Sequence, residues 1–155
     1  IKLDFGSPDA GPQSPKIAQH KAEVSANPND TTALFNLGNA YQDAQNWIGA
    51  ATTWQKLIDL LPDWEPSYNS QGYALQKLNR NDLAAIAYQN YLDTLARKPQ
   101  AEQDKAKETA AYVNYNLATI IYQQDKVKAQ EYVNKALSLK PGMAEALNLQ
   151  KILNK

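Results

Sequence analysis

Apolar side chains recur along this chain at helical spacing and break off at regular intervals. Leu34, Leu37, Gly38 and Tyr41 fall at i, i+3, i+4 and i+7, a single stripe of a helix. The stripe stops near Gln45-Asn46. A second stripe runs through Ala50, Ala51, Trp54, Leu57, Ile58 and Leu61 until Pro62 ends it. Asp30 or Thr31 can cap the first helix by accepting backbone hydrogen bonds. Gly38 and Ala50 are small where two antiparallel helices approach, and Trp54 is large where the pair fills space against a neighbour. A hairpin of this kind cannot bury both faces alone and has to stack.

The pattern repeats. Gly38 and Gly72 stand 34 residues apart, as do Ala50 and Ala84, Trp54 and Tyr88, and Tyr41 and Leu75. A third copy is displaced: Ala118 follows Gly72 by 46 residues, Ala129 follows Ala84 by 45, and Pro141 follows Pro62 by 79. Twelve residues are therefore inserted before the third copy, and one is lost from its turn near Gln124-Asp125. The inserted stretch, Ala101 to Thr109, consists of helix formers without a breaker. It predicts a long first helix for the third hairpin, from about Ala101 to Gln123.

Leu34-x-x-Leu37-Gly38-x-x-Tyr41, then Ala50-x-x-x-Trp54, then Pro62, resembles the tetratricopeptide repeat. Leu34 stands where that family usually has Trp, and Trp54 where it usually has Phe or Tyr. The second copy keeps Tyr68, Gly72, Leu75, Ala84 and Tyr88. It departs at Gln71, where Leu is usual, and at Ala96, where the helix-ending Pro is missing, so its second helix is expected to run to about Arg97 before Pro99. The resemblance covers residues 31–141. It implies an all-α fold, a right-handed α-solenoid of antiparallel helical hairpins with capping helices at both ends. The expected organisation is a flexible Pro/Gly-rich leader over residues 1–14 and one domain over 15–155. That domain comprises an N-terminal helix (15–27), repeats at 31–64, 65–98 and 101–141, and a C-terminal capping helix (142–154).

Composition narrows the function. Sixteen Lys and Arg balance sixteen Asp and Glu, so the chain lacks the positive field that gathers nucleic acid or anionic lipid. There is no cysteine, hence no disulfide and no thiolate metal site, and no apolar run approaches a bilayer span. His20 is the only histidine and reads as an exposed residue of the first helix, so histidine-based catalysis and zinc both lack a ligand set. The acidic residues read as solvated helix faces, and GSPDAG lacks the Lys-Ser/Thr of a phosphate loop. The expectation is a non-enzyme that needs no cofactor and no small-molecule substrate. A proline-rich leader ahead of a cysteine-free repeat is the shape of a soluble domain from a secreted or membrane-tethered bacterial protein.

What remains is surface. In a stack of such hairpins the first helices line a concave groove, and the residues off the packing stripe face it. These are Phe35, Asn39 and Gln42 in the first hairpin, Asn69, Tyr73 and Gln76 in the second, and Tyr115, Thr119 and Tyr122 in the third. Amides grip the main chain of an extended peptide through donors and acceptors alike, and rigid aromatics anchor apolar side chains. A one-residue shift of helix phase in the second or third hairpin would instead pack its aromatics between helices. Some tetratricopeptide domains clamp the acidic tails of chaperones with Lys, Arg and Asn; the matching places here are Phe35, Asn39, Ser70, Ala111 or Tyr112, and Asn116, so every basic member is missing. The expected function is a scaffold binding a protein or peptide segment in a neutral groove. One alternative is a self-assembling module, suggested by the long third-hairpin helix and by Ile152-Leu153. Another is a groove filled by the leader itself, with Ile1, Leu3 and Phe5 as its apolar positions.

Overall fold

A computed structural model describes residues 3–155; Ile1 lies outside the described residues. The described residues form nine α-helices and a single 3-10 turn, with no strand. They divide inside the fifth helix into two compact units, up to Ala87 and from Tyr88 onward, where the sequence suggested one domain.

Unit 1 contains α1 (Pro15–Ala26), α2 (Thr31–Asp43), α3 (Trp47–Leu60), α4 (Pro66–Lys77) and the first half of α5 (Asn81–Ala96). Its helix starts are set by side chains. The Ser14 hydroxyl accepts from the Ile17 N–H, the Asp30 carboxylate from Ala33, and the Asn46 amide oxygen from Gly49. Pro15 and Pro66 occupy first-turn positions, where a missing N–H costs nothing. The α2–α3 and α4–α5 turns use the same device 34 residues apart: Gln45 and Asn79 take left-handed φ values of 58° and 57°. The N–H groups of Asn46 and Arg80 then close onto the Tyr41 and Leu75 carbonyls.

The stripes read from the sequence are the core. Leu34, Leu37, Tyr41, Ala50, Ala51, Trp54 and Leu57 are all buried, with Ile17 of α1 beside them. A Cβ on Gly38 would lie 2.7 Å from the Trp54 ring, so the small residue of α2 exists for the indole of α3. Gln71, the departure from the usual Leu, is buried but satisfied: its amide donates to Gln55 Oε1 at 2.8 Å, and the Gln55 amide donates on to Asp59.

The leader differs from its expected flexibility. Phe5 is buried at 3% exposure, while Leu3 stays exposed. The Asn46 side chain, 1% exposed, donates to the carbonyls of Pro8 at 2.7 Å and Pro12 at 2.9 Å, and Lys21 pairs with Asp9. Gly11 passes so close to the Asn46 amide that a Cβ would sit 2.5 Å from its oxygen. The leader thus lies along α1, α3 and the α2–α3 turn. The α2 residues bordering the cavity beside it, Leu37 and Tyr41, are on the packing stripe, across the helix from Phe35, Asn39 and Gln42.

Unit 2 continues α5 and adds α6 (Gln100–Lys105), α7 (Lys107–Ile121), α8 (Lys126–Leu139) and α9 (Ala144–Leu153). The inserted stretch is not one helix with α7. It breaks at Ala106, where φ −91° and ψ 2° leave the helical range. Gln103 reaches back to the carbonyls of Lys98 (2.7 Å) and Ala96 (3.4 Å), tying α6 to the end of α5, while α6 has no buried residue to align it with α7. α8 packs on α7 and α9 on α8. Two clusters result, Ala111, Ala136, Met143 and Ala146, and Ala118, Ala129, Val133 and Leu149. The shortened α7–α8 turn closes from Asp125 N–H to the Ile121 carbonyl with no left-handed residue.

Candidate functional site

On α2 the three singled-out residues stand on one face. Phe35 is 40% exposed, and its ring packs edge-on to Trp64 (5.7 Å between centroids) and tilted against Trp54 (6.0 Å). Together with Thr31, Thr32, Leu57, Leu61 and Trp64 it lines an open cavity of about 270 Å³. Asn39 is half-buried and borders a second, polar cavity of about 200 Å³ with Lys16, Gln19, His20, Asn36 and Asp43. His20 is half-buried there rather than exposed, its Nδ1 2.8 Å from Glu23 Oε2. Gln42 is half-buried, with Oε1 enclosed and unpartnered.

On α4, Tyr73 is 40% exposed and stacks edge-on against Trp47 at 5.5 Å, with the Lys77 ammonium 5.3 Å over its ring. Asn69 and Gln76 are half-buried.

In unit 2 the corresponding residues are used differently. Tyr115 packs against both core clusters, and Tyr122 against the second. The Thr119 hydroxyl donates to the Asn116 carbonyl at 2.7 Å. These two tyrosines take the packing role that a shifted helix phase leaves open, because Met143 ahead of α9 and Ala146 and Leu149 within it supply partners. Sequence reasoning missed Trp64 and Trp47, which pack against Phe35 and Tyr73, and it placed Leu61 on the packing stripe, though it lines the Phe35 cavity. The only signal of the first two was that they stand off the helical stripes.

No protein-family model and no curated protein matches the chain by sequence. Solved structures do match by shape. The chain superposes on the crystal structure of MamA with a TM-score of 0.72 at 24% identity, covering 84% of this chain and 70% of that one. It superposes on the C-terminal part of a TPR repeat-containing protein from Cytophaga hutchinsonii with a TM-score of 0.73 at 21% identity, covering 85% of this chain and 51% of that one. The fold is that of the tetratricopeptide repeat. BtubC from P. vanneervenii is a further neighbour, with a TM-score of 0.62 at 16% identity over 97% of this chain and 64% of its own. The hairpins α2–α3, α4–α5 and α7–α8 are thus three tetratricopeptide-like repeats, with α1 before them and α9 after.

Proposed function

We propose that this chain is a non-catalytic protein–protein interaction scaffold that holds an extended segment of a protein or peptide on the exposed face of α2 and α4 in unit 1. The observation that carries the reading is a pair of large aromatics, Phe35 and Tyr73, each 40% exposed yet buttressed by a tryptophan. A buttressed ring loses little rotamer freedom on binding, which is what a recognition anchor needs. Beside them Asn36 and Asn39 border a polar cavity with amides suited to a peptide main chain.

Affinity capture of native proteins on the full chain, with a Phe35→Ala/Tyr73→Ala double variant as control, tests this. The variant is expected to keep its helicity by circular dichroism and to lose captured segments by more than tenfold, the scale of two anchor side chains. Equal capture by both chains would overturn the assignment to this face.

A further inference from the structure

The charges around the Phe35 cavity narrow its occupant, on the reading that unit 1 binds a segment there. The neutral chain is divided: up to Ala87 it carries six Lys and Arg against nine Asp and Glu, and from Tyr88 ten against seven. Unit 1 is acidic and unit 2 basic. The imbalance is local at the cavity. Asp30 adjoins the lining residue Thr31 and accepts a hydrogen bond from a neutral donor, the Ala33 N–H. Lys56, the nearest base in sequence, borders the cavity on the leader's side instead. Phe35 and Leu61 of its lining are apolar and exposed.

Unit 2 presents the complement. Leu153 packs against the cluster that contains Ala129, so the start of α8 and the end of α9 lie at one end of the unit. There Val127, 75% exposed, stands between Lys126 and Lys128, and Ile152, 51% exposed, follows Lys151. Lys128 pairs with Glu131, whereas Lys126, Lys151 and Lys155 enter no ion pair among the described residues.

We propose that the Phe35–Trp64 cavity of unit 1 is the docking site for this basic, apolar-tipped end of unit 2 from a second copy of the chain. An apolar side chain enters the cavity and leaves water, while the lysines meet Asp30 and the net negative charge of unit 1. Donor and acceptor surfaces differ, so the contact is heterologous and closes a ring or runs on as a chain according to its rotation.

Sedimentation velocity of the full chain over a wide concentration range, at ~0.02 M and ~0.5 M salt, tests the proposal. At low salt the average mass should climb above the 17.2 kDa of one chain with concentration, and high salt should return it toward that value. Ile152→Asp should weaken association about tenfold, the scale of one buried apolar side chain. Asp30→Asn, which keeps an oxygen for the helix cap while removing the charge, should weaken it as well, and so should Lys151→Glu. Ile152 and Lys151 are exposed, so helicity serves as the folding control. A chain that stays monomeric at low salt overturns the proposal, as does association indifferent to Ile152→Asp or to Phe35→Ala. A monomer whose captured partners are nevertheless lost in Phe35→Ala/Tyr73→Ala removes the second copy as occupant and leaves the segment-binding face in place. Capture unaffected by that double variant removes the face itself.

Discussion

The same two positions of the repeat are filled in both units, with opposite results. Phe35 precedes Gly38 by three residues as Tyr115 precedes Ala118, and Trp64 follows Pro62 by two as Met143 follows Pro141. In unit 1 the pair meets edge-on, the phenyl ring stays 40% exposed, and a cavity of about 270 Å³ opens beside it. In unit 2, Met143 is 1% exposed and Tyr115 lies against the cluster it belongs to. Methionine has three rotatable bonds and fills whatever gap it meets, whereas two rigid aromatic planes leave space between them. A repeat position is therefore neither a groove position nor a core position in itself. Its fate depends on the shape of the residue that closes the repeat.

The comparison can be broken from the packed side first. Met143→Ala removes a fully buried side chain from the first cluster of unit 2 and is expected to cost about 2–5 kcal/mol in urea unfolding. Trp64→Ala, its counterpart in unit 1, takes away a half-exposed ring and should cost about 1 kcal/mol or less. Equal costs would mean that the cavity is as much core as the cluster.

The helix caps give a smaller contrast. Asn46 and Asp125 each cap a second helix, accepting from Gly49 and from Lys128. Asp125→Ala is expected to cost about 1 kcal/mol, the ordinary value of a cap. Asn46→Ala should cost about 2–3 kcal/mol, because it also removes the amide's bonds to the Pro8 and Pro12 carbonyls, of which Pro8 keeps the Gln13 amide and the Gly11 N–H. Limited proteolysis should then cut within residues 3–14 faster than in the unsubstituted chain. A leader cut no faster in that variant would show that Phe5 and the Lys21–Asp9 pair secure it.

This contrast also marks how far the sequence could be read. The hairpins were legible because one period of 34 fixed stripes, turns and stops together, and Gly38 with Trp54 named its own packing partner. Phe35 and Tyr73 stand exposed, as helical phase alone requires. The leader was not legible: a proline- and glycine-rich stretch is held by buried Phe5, by the Lys21–Asp9 pair and by an amide, Asn46, that looks like any turn residue. Neither was the break at Ala106, since helix formers surround it and the cause is Gln103 reaching the end of α5. Tyr115 and Tyr122 needed knowledge of where α9 docks. For the leader and the tyrosines propensity and period were overruled by a contact distant in sequence, and at Ala106 by a local one from Gln103 back to Lys98.

The least effect expected is electrostatic, and it too separates the units. In unit 2 the Lys140 side chain holds Glu108 below the usual carboxylate range, and hydrogen bonds from Gln100 and then Lys107 do the same for Asp104. In unit 1, His20 and then Gln19 lower Glu23. A carboxyl lowered on folding stabilises the native state at every pH above its unfolded value, near 4, and that contribution disappears as the pH falls through the folded value. All three groups are exposed, so solvent keeps each contribution small. Lys140 also lies 4.8 Å over the Tyr112 ring, so its pairing with Glu108 fastens the start of α7 to the end of α8. Thermal melting between pH 7 and about 3 should show a shallow acid limb. In Lys140→Met the carboxyl of Glu108 should titrate higher by NMR and the limb should flatten. A limb unchanged by the substitution would leave the acid sensitivity with Glu23 and Asp104, and so on both sides of the division inside α5.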